Sequence, residues 1–319
     1  MMGWTAYKLV YQSMSPIHIG WHTLGYINLT RYYIPGRTMW GAFTANLTRA
    51  HGRGVGDYKS FGDLLREHVL VSYFYPALDP EEPLLPKFAE DGLRYGPKPA
   101  YAFERQFIKS YGQTAVLPDT NTAEDQSLHE SEFIAPVVEE EVDGSAQQKM
   151  VYFVGYLFIR NGCVAETKGG VQEVSWDEGT GMNLRAALSE VFVGGDRTYG
   201  WGRLRLDSHR TIANTTEFFN AAEFVGSDER PVVRLPLDGA IPAHLSIDAG
   251  LALKGDIEPL VSREWNDKGP GQAVIPLNSK TFHWMPGSIL MESGSQQRTF
   301  SIGPYGILVP EDGDVSEPS

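Results

Sequence analysis

Between Val191 and Arg203 the chain reads VFVGGDRTYGWGR, where Gly194, Gly195, Gly200 and Gly202 carry no side chain and Arg197, Tyr199, Trp201 and Arg203 stand among them. Glycine accepts φ > 0 conformations and close main-chain approach that other residues resist, so this loop is expected to bring its backbone against another surface. Arg197, Arg203 and Arg205 supply guanidinium donors, while Tyr199 and Trp201 supply flat faces, a pairing that suits a polyanion with stackable rings. The loop lacks the Gly-Lys-Ser/Thr ending of a nucleotide-binding phosphate loop, so ATP is not implied. One cysteine and eight scattered histidines give no zinc spacing, and no acidic run matches a calcium loop. Asp196, the one acid in the loop, suits pinning Arg197 or capping the turn better than holding a metal.

The rest of the chain must position those groups. At 319 residues it is long enough for two compact units or one large one. Its longest apolar run, Val151 to Ile159, is too short to cross a membrane and reads as a buried strand. The N-terminal MMGWTAYKLVYQ has no charged head followed by an apolar core, so export is not expected. A single cysteine, Cys163, cannot form an internal disulfide, which fits a reducing cytoplasm. The net charge of −13 argues against a nucleic-acid partner until its distribution is considered. Lys8, Arg31, Arg37, Arg49, Arg53 and Lys59 face only Asp57 in residues 1–60, and Arg197, Arg203, Arg205 and Arg210 face only Asp207 between 197 and 210. The acids concentrate in 61–150. One basic face on an acidic body would bind phosphates in a salt-dependent way.

The pattern predicts a strand over Ala6 to Gln12, then a glycine-containing loop, SPIHIGWHTLGY. Tyr32 to Ile34 ends at a Pro35-Gly36 turn, after which Thr38 caps a helix running to about Ala50. Glycines between 52 and 56 stop it, Ser60 caps a short FGDLLREH helix, and VLVSYFYPA reads as one strand. Residues 79–148, rich in Pro, Gly and acids, are expected to be an irregular insertion with an acidic tip at VEEEVDGSAQQ. Met150 to Arg160 is a strand closed by an Asn161-Gly162 turn. Asn183 starts a helix, LRAALSEVF, that leads directly into the glycine-rich loop, and Arg203 to Asp207 resumes as a strand. This order is close to a split βαβ, ferredoxin-like domain with insertions. From Pro231 the chain is strand-rich, with a second Pro-Gly at Pro286-Gly287, and PEDGDVSEPS reads as a disordered acidic tail.

SPIHIG (Ser15 to Gly20), YYIPGRTMWGAF (Tyr32 to Phe43) and GGDRTYGWGR, in that order, resemble the RAMP superfamily of CRISPR-associated RNA-binding proteins. In that family an IPGS-x-x-GA segment starts the first helix and a glycine-rich loop follows the second; here Arg37 replaces the usual serine. The resemblance covers about two-thirds of the chain. GDIEPLVSREWNDKGPGQAVI, WMPGSIL and FSIGPYGILVP further resemble the closing region of large RAMP subunits in type III complexes, although Gly269-Pro270-Gly271 reads equally well as punctuation between strands. The resemblance implies an α+β fold of two ferredoxin-like (RRM-type) units, the second degenerate. It divides the chain into 1–210 with an insertion at about 79–148, a degenerate or strand-rich 211–310, and an acidic tail at 311–319.

It also implies binding of CRISPR RNA beside backbone subunits and a large signalling subunit of a type III effector complex, with target RNA met indirectly. No cofactor, metal or membrane is implied, and the location is cytoplasmic. Backbone subunits of such complexes that cut target RNA use an aspartate in the loop before the IPGS segment. Here Trp21 to Tyr33 holds no Asp or Glu, and Asn28 is the nearest substitute, so this route to cleavage is not expected. That departure favours a noncatalytic subunit capping the 5′ handle of the guide, with a backbone-type subunit, or a ribonuclease acting on target or precursor RNA, as the alternative. Metal-independent RNA cleavage needs a general base and acid of the histidine type, and His18 and His22 lie four apart, but no third group orients them.

The expected RNA contacts are His18, Gly20, His22, Arg31, Gly36, Arg37 and Arg49 from the N-terminal segments. Gly195, Arg197, Thr198, Tyr199, Gly200, Trp201, Gly202 and Arg203 join them from the loop. Arg37 sits at a helix start, where the dipole disfavours a cation unless an anion answers it. Tyr199 and Trp201 either stack on bases or pack beneath the loop, and Trp40 and Phe43, three apart, are expected in the core.

Overall fold

A computed structural model describes residues 3–311 apart from 115, 118, 121, 124–127, 178–180, 213–217, 220–222, 226–228, 261–262, 267–268, 275–281 and 292–296. The protein is α+β. Its first sheet sets Arg203–Ile212, Trp4–Ser13, Tyr152–Arg160 and Val69–Val71 side by side, each antiparallel to its neighbour. Helices α1 (Gly36–His51), α2 (Tyr58–Glu67), α3 (Ala100–Phe107) and α4 (Leu184–Ala187) accompany the strands. With α1 and α2 after the first strand and α4 before the last, the N-terminal unit follows the β-α-β-β-α-β ferredoxin-like order.

Successive strand residues face opposite sides of a sheet, and both sides of this one are buried. Leu9, Tyr11, Phe153 and Leu157 pack with Met39 and Phe43 of α1 and with Phe61 and Leu65 of α2. Ala6, Tyr156, Phe158 and Ile212 point the other way, into a core shared with Phe224, Val233, Leu235 and Leu245 of the C-terminal unit. An RRM-type sheet offers that second face to RNA bases. Here the C-terminal unit covers that face. That unit is strand-rich: Glu223–Val225, Val232–Leu235, Arg298–Ile302, Leu308–Pro310, Leu245–Ser246, Phe282–Trp284 and Ile257–Pro259 form one sheet in that order. Among its described residues, helix occurs only as short 3-10 turns.

Several local expectations give way to longer-range pairing. α1 begins at Gly36, two residues before Thr38, because Pro35 (φ −59°) already sets the entering geometry and its carbonyl receives the N–H groups of Thr38 (2.9 Å) and Met39 (3.2 Å). Asp57, not Ser60, precedes α2. VLVSYFYPA is two strands, Val69–Val71 and Tyr75–Ala77, both on Tyr152–Arg160, with Ser72 Oγ accepting from Tyr156 N (2.8 Å) at the break. The SPIHIGWHTLGY segment is only partly loop, since Gly20–Leu24 pairs with Ile27–Thr30 around Gly25 (φ 63°).

The described residues of 79–148 form regular elements where the sequence predicts an irregular insertion. They contribute a hairpin, Pro86–Ala89 with Gly92–Tyr95, then α3, then Ile108–Gln113 and His129–Ile134, which extend the Gly20–Thr30 hairpin into a four-stranded sheet. The acidic tip is itself a hairpin, Val137–Val142 with Ser145–Met150. α4 is a single turn, capped by Asn183 Oδ1 accepting from Ala186 N (3.0 Å); Glu190–Phe192 then joins Arg203–Ile212 as an edge strand. Gly269–Val274 pairs with Arg263–Asn266, so its Gly-Pro-Gly belongs to a hairpin strand. Residues 312–319 of the expected acidic tail lie outside the described residues. No described helix is long and apolar enough to cross a membrane.

Candidate nucleic-acid interface

The glycine-rich loop is the tip of the hairpin joining Glu190–Phe192 to Arg203–Ile212. The SPIHIG segment runs alongside it. Met14 N donates to Arg203 O (2.9 Å), Arg203 N to Ser15 Oγ (2.9 Å), Gly202 N to Pro16 O (2.8 Å) and Gly195 N to His18 O (3.0 Å). Two motifs far apart in sequence thus become one structure, and they explain the glycines. A Cβ on Gly194 (φ 72°) would lie 2.0 Å from His18 O, and one on Gly202 (φ 85°) 2.1 Å from Val193 O. The close approach made by these two glycines is therefore to the protein itself. Gly200 (φ 84°) has open space around it, and Thr198, Tyr199 and Gly200 form the exposed tip, with Tyr199 61% exposed.

Several expected contacts are occupied elsewhere. Trp201 is buried beneath the loop against Phe133, ring centroids 4.9 Å apart, and presents no face for stacking. His18 is buried with Nδ1 2.6 Å from Glu132 O, and its ring edge supports Gly195, so it braces the loop. His22 is exposed on the edge strand beside Trp21, with Gly20 likewise exposed; the two histidines do not share one environment. Gly36 abuts the C-terminal unit: a Cβ there would lie 2.2 Å from Tyr305 O.

Arg31 is no surface cation. It pairs with Glu258 of the C-terminal unit and donates to Tyr33 Oη (3.4 Å). Glu258 also accepts from Trp21 Nε1 (2.9 Å) and from His244 Nε2 (2.5 Å), while His244 Nδ1 accepts from Tyr73 Oη (2.6 Å). A neutral imidazole serves both bonds. Burial lowers His244 to about 4, outweighing the opposite pull of Glu258. Burial alone would raise the Glu258 carboxyl, but hydrogen bonds from His244 and Arg31 hold it down to about 2.

The remaining candidates converge. Arg37, at the first turn of α1, lies over the Tyr305 ring, its Cζ 4.4 Å from the centroid. Arg197 donates Nε to Gly194 O (3.1 Å), and Arg49 donates to Ala45 O (3.2 Å) and Asn46 Oδ1 (2.9 Å). Neither Arg49 nor Arg197 has a carboxylate partner among the described residues. Burial lowers the Arg197 guanidinium from its ordinary range, with Tyr58 opposing the shift and Arg49 adding to it. Burial raises the Tyr58 hydroxyl, and Arg197 and Arg37 pull it back. Arg37 and Arg197 are therefore both within electrostatic reach of Tyr58, and Arg49 is within reach of Arg197, which leads directly into the exposed loop tip. Arg203, at the mouth, is paired with Glu190 (2.8 Å), and Arg205 donates to Gln12 Oε1 (2.8 Å). Sequence reasoning missed Tyr58 and Tyr305; the glycines flanking Tyr305 were the only local signal.

No family model matches the sequence, and no curated protein matches it. Likenesses exist among solved structures. A chain from a cryo-EM structure of the type III-B Cmr-beta bound to cognate target RNA and AMPPnP superposes with a TM-score of 0.51 at 12% identity, over 89% of this chain and 85% of that one. A chain from another structure of the type III-B Cmr-beta bound to cognate target RNA gives a TM-score of 0.36 at 11% identity, covering 63% of this chain and 96% of that one. At such identity the first likeness is one of fold, and it extends through both units.

Proposed function

We propose that the protein is an RNA-binding subunit of a type III CRISPR effector complex that grips the 5′ handle of the guide RNA without cutting it. The carrying observation is the pair Arg49 and Arg197, which have no carboxylate partner among the described residues, with Arg197 and Arg37 both in electrostatic reach of Tyr58 and the exposed Thr198–Gly200 tip following Arg197. Both guanidinium groups are exposed, and with no carboxylate on them they are open to an incoming phosphate, which they can bind through charge-assisted hydrogen bonds. The fold likeness to a chain of an RNA-bound type III-B assembly supports the same reading. So does the absence of Asp and Glu between Trp21 and Tyr33, where Asn28 Oδ1 accepts a hydrogen bond from Thr23 Oγ1 (3.2 Å). Docking to backbone and signalling subunits is part of the proposal.

Fluorescence anisotropy with a labelled single-stranded RNA carrying the host repeat tests it. The Arg49→Ala/Arg197→Ala variant should lose about tenfold or more in affinity, and its salt slope should fall by about 0.7 for each phosphate contact removed. Unchanged affinity in a folded variant would overturn the reading. The same RNA incubated with wild-type protein, with and without divalent metal, should remain intact; cleavage would favour the ribonuclease alternative.

A further inference from the structure

We infer that Tyr305, a residue of the C-terminal unit, is the positioning residue of the phosphate site and sets the direction of Arg37; the inference rests on the RNA-binding reading above. The turn Pro304–Gly306 crosses from the second unit to the start of α1. It fits closely there. A Cβ on Gly306 (φ 75°) would meet Val71 O at 2.4 Å, and Gly36 leaves room for the Tyr305 carbonyl. Tyr305 itself sits at φ 62°, ψ 18°, a left-handed conformation uncommon for an aromatic residue. Such a conformation persists where its surroundings over-determine it.

Those surroundings are specific. The ring carries the Arg37 guanidinium on its face at 4.4 Å and meets the edge of Trp40 at 5.1 Å, and its hydroxyl is hydrogen-bonded to Arg66. Trp40 is fixed in turn by its Nε1 donating to Gly62 O of α2 (2.9 Å). Arg37 stands at the end of α1 where the dipole repels a cation. A face-on aromatic ring offsets that repulsion and holds the planar guanidinium in one orientation, within electrostatic reach of Tyr58, as Arg197 also is. The RNA site is consequently composite: the N-terminal unit supplies the cations and the C-terminal unit aims one of them. A free N-terminal unit would hold the charges but not the geometry.

The test uses the full chain and the same labelled repeat RNA. Tyr305→Leu, which removes the ring, should weaken binding about five- to tenfold and lower the salt slope by about one phosphate contact, 0.7. Tyr305→Phe, which keeps the ring, should restore most of that loss. Arg37→Lys keeps the charge but not the flat fork and should match Tyr305→Leu, and combining the two should add little, since both break one contact. If Tyr305→Leu melts below the assay temperature, Arg37→Lys with Tyr305→Phe carries the test. Wild-type affinity and slope in folded Tyr305→Leu, or fully additive losses in the double variant, would overturn the inference while leaving the RNA-binding reading intact. Unchanged binding in Arg49→Ala/Arg197→Ala would overturn both.

Discussion

Arg31 and Arg197 lie in segments of similar composition, rich in aromatic and small residues, yet the fold gives them opposite circumstances. Arg31 lies under the Gly20–Thr30 hairpin against Glu258, in a buried joint that also uses Trp21, Tyr33, Tyr73 and His244. Arg197 lies at the loop mouth within reach of Arg49, and among the described residues its guanidinium bonds only a backbone carbonyl. Both belong to basic stretches of the sequence, Arg31 to 1–60 and Arg197 to 197–210. A cation available to a ligand is marked by the absence of a carboxylate, and that absence is a product of tertiary pairing. Glu258 reaches Arg31 from the other unit, so no local pattern announces it.

The largest effect should come from the joint. Glu258→Ala leaves Arg31 buried without its counter-charge and is expected to cost about 3–5 kcal/mol in urea denaturation. Joint substitution of Arg31→Met and Glu258→Leu should recover much of that, because two apolar side chains leave no orphaned charge. A small loss for Glu258→Ala would mean that water satisfies Arg31, and the contrast with Arg197 would dissolve.

Acid tests the same joint. In the unfolded chain histidine binds its proton near 6.5 and glutamate near 4.5, whereas in the folded protein His244 waits until about 4 and Glu258 until about 2. The unfolded chain therefore takes up protons first. Stability from these groups is full above about pH 6.5 and declines as the pH falls from there toward 2. Denaturation midpoints measured along that window should drop less in His244→Gln than in the wild type. An equal drop would place the acid sensitivity elsewhere.

The loop gives a contrast of its own between supporting and exposed glycines. Gly194→Ala and Gly202→Ala drive a methyl into His18 O and Val193 O at left-handed φ, and each should cost about 2 kcal/mol or more. Gly200→Ala meets open space at φ 84° and should cost only about 1 kcal/mol of conformational strain. Thermal melts of the three variants rank them, and a reversed order would detach the loop from the SPIHIG segment.

Much of the N-terminal unit was legible because its signals are local. The apolar run around Tyr152–Arg160, the spacing of Met39, Phe43 and Leu47, and the Pro35-Gly36 signal each fix an element from neighbouring residues. The 79–148 region was not legible, since Ile108–Gln113 (IKSYGQ) and His129–Ile134 (HESEFI) are polar strands that exist through pairing with each other and with Ile27–Thr30. In the candidate site the glycine loop and its arginines could be found from composition. Trp201 could not be placed, because burial against Phe133 depends on a strand more than sixty residues away in sequence. Gly36, expected among the RNA contacts, is buried with the Tyr305 carbonyl where a Cβ would lie, a neighbour from the other unit that no local pattern announces.

Arg203 supplies the finest division of the comparison, because it lies between the two extremes: exposed at the mouth, like a ligand-binding cation, yet paired with Glu190 at 2.8 Å. An exposed ion pair of this kind contributes little to stability, so Arg203→Ala should leave the melting temperature nearly unchanged. Its effect on RNA is less direct than that of Arg197. Phosphate must compete with Glu190 for the guanidinium, and deleting Arg203 also leaves the Glu190 carboxylate unscreened beside the incoming polyanion. Arg203→Ala should therefore weaken repeat-RNA binding less than Arg197→Ala does, by about two- to threefold, and Glu190→Gln should tighten it slightly by freeing Arg203. Measured at two salt concentrations, the Arg197→Ala slope should fall by about 0.7, one phosphate contact, and the Arg203→Ala slope by less. A larger loss at Arg203 than at Arg197 would mean that RNA displaces Glu190 outright, and that a carboxylate partner in the free protein does not disqualify an arginine from the site.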